Sequence, residues 1–212
     1  LWQGQQVLGH DSPVGRYAAL QLAPYVNENI PLLYVGFGQK SLEHAGHIYD
    51  GAHLHTFMSD QALSDAVAAF RRGEAAVGRS SGKLWSVFAT VHQPSDTDYL
   101  KMIVARLATY LQIPGYGEAL VTVNGWDMDT LNSFRSAPVV KNIGGAIDSV
   151  ADFTQLQAVE KLIPEDWRPA AVGEAKTCAQ RWVDQFKAGA DGLIIHASTP
   201  EQFAPVLAEY EK

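Results

Sequence analysis

The hexapeptide Gly36-Phe37-Gly38-Gln39-Lys40-Ser41 is the segment of this chain best suited to hold an anion. It follows the apolar run Leu32-Leu33-Tyr34-Val35 and precedes Leu42, Ala45, Gly46 and Tyr49 at helical spacing, so it sits where a strand ends and a helix begins. A helix N-terminus presents free backbone N–H groups and the positive end of its dipole, and glycines let a phosphate approach the main chain. The same glycines would equally serve a tight turn with no ligand, and the pattern alone leaves both readings open. A dinucleotide site fits less well. Ser41 stands where the third glycine would be, and His55-Thr56 ends the next strand where a ribose-binding carboxylate is expected.

Four histidines form the second group. His53 and His55 lie two apart and point to one side of a strand, while His55, His92 and His196 each close a short strand-like run. In parallel α/β folds ligands bind at the carboxyl ends of the strands, so these side chains are mouth residues or hydrogen-bonded packing. No HExxH or similar ligand spacing appears, and no metal site is expected. Cys178 falls in a helical stretch beside Ala179, where a buried small residue is the expected role. Glu165 and Asp166 read as solvated, as do Arg135 and Lys141 unless one of them meets an anionic ligand.

These residues need a scaffold, and the text of the chain supplies its rhythm. Residues 1–30, rich in Gly, Pro and Asn, read as loops with a short hairpin through 6–14. From Pro31 a strand, the glycine loop and a helix follow; then Asp50-Gly51 turns into a strand over 52–55, and Ser59 caps a helix closed by Gly78. A β-branched and aromatic strand spans 84–92, with a helix beginning at Asp96. Residues 112–172 break the pattern with Pro114, Pro138, Pro164 and Pro169, and read as an inserted helical segment with helices over 130–135 and 153–163. The rhythm resumes with a helix over 174–188, a strand over 193–196 and a closing helix over 199–211. One internal repeat stands out: Ala45-Gly46 then Asp50-Gly51 into a strand ending in His55, and Ala188-Gly189 then Asp191-Gly192 into one ending in His196. Four βα units predict a parallel α/β sheet, either open or about half of an eight-stranded barrel.

Composition bounds the rest. With 212 residues, 47% of them hydrophobic, and a net charge of −7, this is a chain with a core, and the acidic balance disfavours nucleic acid or anionic membrane as partners. The single cysteine permits no internal disulfide, the apolar runs are far too short to span a bilayer, and the cytoplasm is the expected location. The first Met is Met58, which raises the expectation of a missing N-terminal part.

Taken together, several motifs suggest a family. Leu1-Trp2-Gln3-Gly4, the run from Pro31 through Gly36-Phe37-Gly38-Gln39-Lys40-Ser41-Leu42, Tyr49-Asp50-Gly51 and Gly78-Arg79 resemble the second half of the luciferase-like monooxygenase family. Gly189-Ala190-Asp191-Gly192-Leu193-Ile194-Ile195-His196 with Thr199-Pro200-Glu201 looks like its last βα unit. Pro114-Gly115-Tyr116-Gly117-Glu118-Ala119-Leu120 with Pro138-Val139-Val140-Lys141 is similar to an actinobacterial branch of coenzyme F420-dependent oxidoreductases. The resemblance implies an α/β fold, a TIM-type (β/α)8 barrel of which residues 1–212 form the C-terminal part, with 112–172 as a helical insertion. It implies a hydride transfer between F420, or alternatively FMN, and a small organic substrate, with the missing N-terminal half of the barrel as partner and a homodimer as the assembly. Gly36, Phe37, Gly38, Gln39 and Lys40 would then hold the cofactor phosphate, and His55 and Thr56 would line the cavity near the cofactor tail or the substrate. No catalytic residue is assigned, because the family's first four strands have no counterpart in these residues. An FMN-dependent monooxygenase, a non-catalytic flavin-binding protein and a phosphosugar isomerase or aldolase on the same fold are the alternatives.

Overall fold

The computed structural model describes residues 1, 4–22, 28 and 30–212. The reading of loops over 1–30 falls in part on residues 23–27 and 29, and the family-like opening includes Trp2 and Gln3; these lie outside the described residues. The chain divides into two units, Leu1–Leu32 and Leu33–Lys212.

The first unit is an antiparallel hairpin of β1 (Val7–Ser12) and β2 (Gly15–Leu20). It is longer than the hairpin expected over 6–14, because the chain reverses at Pro13-Val14 and pairs Ser12 with Gly15. Proline presets the turn, Gly15 takes a φ of 153°, and Ser12 Oγ donates to the Gly15 carbonyl at 3.2 Å. Across the strands His10 stacks on Tyr17 and Arg16 pairs with Asp11 at 3.0 Å.

The second unit is built on a parallel sheet. Its strands β3 (Leu33–Val35), β4 (Gly51–His53) and β5 (Lys83–His92) are linked by helices α1 (Gln39–Ile48) and α2 (Asp60–Ala76). The long segment after β5 holds α3 (Asp96–Tyr99), a π-helical stretch (Leu100–Ala105), α4 (Arg106–Gln112), α5 (Tyr116–Asn124), α6 (Met128–Ser136), α7 (Pro138–Lys141), α8 (Ile147–Val150) and α9 (Phe153–Glu160). Then come β6 (Ala171–Gly173), α10 (Ala175–Lys187), β7 (Gly192–His196) and α11 (Pro200–Tyr210). The path β3-β4-β5-β7 carries the four expected units, with β4 and β7 on opposite edges of β5: Trp85 pairs with both His53 and Gly192. Both Asp-Gly repeats therefore open strands that flank the same neighbour. Strand β6, which pairs with Thr90, Val91 and His92, was not expected. Three residues between Pro169 and a helix are too few for a periodicity to show.

Alternation along the strands sorts the sheet into two faces. Ala52, Leu84, Ser86, Phe88 and Thr90 point to the helices and are buried. The two polar members of that row are satisfied from α10: Ser86 Oγ donates to Gln185 at 2.8 Å and Trp182 Nε1 donates to Thr90 Oγ1 at 2.9 Å. The opposite row contains Leu33, Val35, Trp85 and Ile194, which are 44%, 69%, 37% and 36% exposed. Parallel sheets in globular proteins are ordinarily covered on both faces, whereas the described residues leave this apolar face open. Helices α1 and α2 pack on the covered side at backbone contact. A Cβ on Gly73 would lie 1.9 Å from the Glu43 carbonyl oxygen, and one on Gly46 would lie 2.2 Å from that of Phe70. The helical segment packs a second core around Leu107, Leu111, Leu120, Leu131, Phe134 and Trp167, which takes in Phe57 and, from β5, Ala89 and Val91.

The helix ends follow the sequence closely. Ser59 accepts from Ala62 N–H at 3.2 Å to cap α2, and Ser95 and Thr199 cap α3 and α11 in reciprocal boxes with Asp98 and Gln202.

Candidate functional site

The glycine loop closes β3 and opens α1. Gly36 N–H still donates to the His53 carbonyl at 3.2 Å, continuing the ladder, and Gly38 is the N-cap residue of α1. No side chain caps this helix and its first turn holds no acidic residue, so its N-terminal dipole is uncompensated. The loop lines a groove of about 740 Å³ together with Tyr34 and with Ala119, Thr122 and Val123 of α5. Gln39, Lys40 and Ser41 are exposed along it. A side chain at Gly38 would meet only Ser41 Oγ, at 3.8 Å, whereas one at Gly36 would strike the Tyr34 ring at 2.6–2.8 Å. Gly36 is thus needed for packing and Gly38 for the opening it leaves.

A second cavity, of about 270 Å³, lies at the carboxyl end of the strands, lined by Val35, His53, Leu54, His55, Thr56, Val87, Tyr110, Ile194, Ile195 and His196. The strand β4 stops at His53, two residues earlier than expected, yet His53 and His55 do line the same cavity. His55 is set among aromatic rings: Tyr110 and Tyr116 meet it edge-on at 4.7 and 5.2 Å between centroids, and Phe37 of the glycine loop lies at 5.3 Å. The loop and His55 are therefore neighbours, although they line different cavities.

Hydrogen bonding and burial define the state of these imidazoles. His55 Nδ1 lies 2.7 Å from the Thr56 carbonyl oxygen, which can only accept, so Nδ1 carries the proton and Nε2 the lone pair. Burial lowers the His55 pKa, His196 and His53 lower it further, and the bond to Thr56 opposes them. His196, 3.5 Å from Thr56 Oγ1, is also lowered, by burial and by the charge of Arg106. Among the described residues His53 Nε2 is buried without a hydrogen-bond partner. Tyr116 is pushed up to about 12 by burial and by Tyr110, so its hydroxyl stays protonated. Arg106 itself is paired with Asp148 at 2.7 Å.

The remaining candidates lie elsewhere. His92 lines a separate cavity of about 50 Å³ with Pro94, Asp98, Met102 and Ser198. Cys178 is fully buried, its thiol pKa raised by that burial, and its Sγ lies 3.6 Å from the Gly173 carbonyl. Arg135 is engaged with Glu118 and with the Leu111 and Ile113 carbonyls, and Glu165 and Asp166 are solvated. Among the described residues no group of three or more His, Cys, Asp or Glu is placed to hold a metal ion, and no helix is long and apolar enough to cross a membrane. Tyr110, Thr122 and Val123 carried no local signal in the sequence, whereas Tyr116 and Ala119 fall within the family-like motif Pro114–Leu120. Val35, Val87 and Ile194 did, since they alternate in step with His53 and His196.

Backbone strain gathers at this end of the sheet. The non-glycine residues with left-handed φ among those described, Phe57 (62°), Gln93 (43°) and Ala197 (72°), lie in the loops after β4, β5 and β7 respectively. Such positions concentrate at functional sites.

No protein-family model matches the chain, and no curated protein sequence does. Solved structures do. The coenzyme F420-dependent tetrahydromethanopterin reductase of Methanopyrus kandleri superposes with a TM-score of 0.61 at 16% identity, over 85% of this chain and 48% of that one. An F420-dependent secondary alcohol dehydrogenase does so with 0.61 at 12%, over 99% and 56%. The FMN-bound oxygenating constituent of 3,6-diketocamphane monooxygenase from Pseudomonas putida gives 0.54 at 13%, over 95% and 55%. The chain thus has the fold of part of the TIM-type barrel in these structures, and it spans about half the length of the solved structures it matches.

Proposed function

We propose that this chain is the carboxyl-terminal part of a luciferase-like oxidoreductase that uses coenzyme F420. The observation that carries the reading is the uncapped N-terminus of α1, exposed in a groove of about 740 Å³ and joined through Phe37 to His55 at the strand ends. A phosphate-bearing cofactor fits this groove. The loop offers main-chain donors, Lys40 adds a positive charge, and the absence of a side chain at Gly38 leaves the approach open. Gly36, Phe37, Gly38, Gln39 and Lys40 would hold the phosphate, and His55 and Thr56 would border the cofactor beyond it. When bound, a deazaflavin or flavin ring supplies the hydride-carrying centre. The chain's own contribution is to anchor the phosphate, to keep water off the cavity through the Phe37, Tyr110 and Tyr116 rings, and to present uncharged imidazoles at its end.

The exposed row of Leu33, Val35, Trp85 and Ile194 is the inner wall of the barrel in this reading, covered by the amino-terminal half of the fold. FMN is the second reading, supported by the FMN-bound neighbour of comparable TM-score. Spectroscopic titration of the intact protein with F420 and with FMN tests both. Tighter binding of F420 is expected; preference for FMN moves the protein to the monooxygenase side, and binding of neither overturns the cofactor reading.

A further inference from the structure

The loop that carries His55 and Thr56 is held from the far side of the helical segment. Asn124, the last residue of α5, donates from Nδ2 to the Phe57 carbonyl at 3.1 Å and to the Leu120 carbonyl at 2.9 Å, and its Oδ1 accepts from Ser59 N–H at 2.7 Å. The orientation of this carboxamide is forced, because the two carbonyls can only accept and the N–H can only donate. One side chain thus reaches across 65 and 67 residues of sequence to clamp both ends of Phe57-Met58-Ser59.

The clamp bears on a strained residue. Phe57 has a φ of 62°, a conformation that residues other than glycine seldom adopt and that persists only where the surroundings over-determine it. Its side chain is fully buried in the cluster of Leu107, Leu111 and Leu120, with Tyr110 edge-on at 6.2 Å between centroids, and its carbonyl is the one Asn124 holds. The φ angle of Phe57 sets the direction of the preceding peptide relative to that held carbonyl, and the oxygen of the preceding peptide belongs to Thr56. This oxygen stands 2.7 Å from His55 Nδ1 and keeps the ring proton there.

We propose that Asn124 is a positioning residue that sets the tautomer of His55: by holding Phe57 in its left-handed conformation it aims the Thr56 carbonyl at Nδ1 and leaves Nε2 as the acceptor atom of that imidazole. That His55 borders a bound cofactor rests on the oxidoreductase reading above; the control of its tautomer does not, and it is read with no cofactor present, so the two can fail separately.

Asn124→Asp separates the two halves of the clamp. A carboxylate still accepts from Ser59 N–H at the start of α2, but it has no proton to give the Phe57 carbonyl. Imidazole nitrogen resonances of the intact protein distinguish the tautomers when recorded at about pH 8, above the ordinary histidine range. His55 of the unaltered protein should be protonated predominantly on Nδ1, and Asn124→Asp should lower the ratio of the Nδ1–H to the Nε2–H form at least about fivefold, the worth of about one hydrogen bond. Ser59→Ala removes the side-chain cap of α2 and keeps the N–H bond to Asn124, so it should lower the thermal midpoint and leave the His55 ratio unchanged. A His55 protonated on Nε2 in the unaltered protein, a folded Asn124→Asp protein with the ratio unmoved, or an equal change in Ser59→Ala overturns the proposal. Should Asn124→Asp not fold, carboxamide exchange in the unaltered protein decides: the Asn124 protons should exchange with solvent at least about tenfold more slowly than those of exposed Asn132, and equal rates overturn the assignment.

Discussion

Replacing Gly38 by Asp should move stability and ligand affinity in opposite directions. Gly38 has φ −73° and ψ 131°, which any residue adopts, and a Cβ there meets only Ser41 Oγ at 3.8 Å, so the change introduces neither strain nor clash. Aspartate is a better N-cap than glycine by a few tenths of a kcal/mol, and its charge at the positive end of α1 adds about 0.3–1 kcal/mol. The fold should therefore gain up to about 1 kcal/mol. The same carboxylate occupies the donors a phosphate would use and repels it. Two unit charges about 5 Å apart interact by about 0.8 kcal/mol in water and about 3 kcal/mol at an effective dielectric near 20, a fourfold to hundredfold weakening before the lost donors are counted. Affinity for F420 or FMN should fall by more than tenfold, measured by fluorescence titration, while the thermal midpoint stays level or rises. Unchanged affinity in a protein of unchanged stability would refute the placement of the phosphate at this helix.

Other expectations follow from the packing and the charges. Gly73→Ala gains about 1 kcal/mol of helix propensity but sets a Cβ 1.9 Å from the Glu43 carbonyl, and the forced separation of α1 and α2 should leave a net loss of about 1–2 kcal/mol; Gly144→Ala, with nothing within 4 Å, should stay within about 0.5 kcal/mol by denaturant unfolding. Glu118 is held down to about 2 by its bonds to Arg135, so the stability it lends is complete above the ordinary carboxylate range and fades as pH falls toward 2; Arg135→Met should flatten that part of an acid-unfolding profile, and an unaltered profile would show that the pair contributes nothing. His55 and His196 are both lowered, so the unfolded chain binds more protons than the folded one just below pH 6.5, and stability should decline as pH falls through that region. His55→Phe should reduce the slope, and an identical slope in the variant would assign it to other groups.

Much of this architecture is local and was legible. The βα rhythm, the cap at Ser59 and the placement of the glycine loop between β3 and α1 all depend on residues within a turn or two of one another. The repeat of Asp-Gly turns is likewise local, and the structure explains it by setting β4 and β7 on either edge of β5. The short strand β6 was not legible, since its three residues are defined by pairing with Thr90, Val91 and His92 rather than by any pattern of their own.

The sequence by itself determined the chain's alternation, hence which residues share a face of the sheet, and the uncapped helix start that suits an anion. Only the tertiary structure decided what meets there. Phe37, His55, Tyr110 and Tyr116 come from the loop after β3, the loop after β4, helix α4 and the start of α5, and they converge because α4 and α5 pack near the carboxyl end of the sheet. Arg135 proved to be structural for the same reason: its carboxylate partner, Glu118, reaches it through the packing of α5 against α6. The positively charged groove is also a tertiary outcome, since Lys40 and the α5 residues Ala119, Thr122 and Val123 line it from segments far apart in the chain. Backbone propensity acts over a few residues, whereas the pairing of charges and the enclosure of a cavity depend on packing between segments far apart in the chain, and no spacing rule records them.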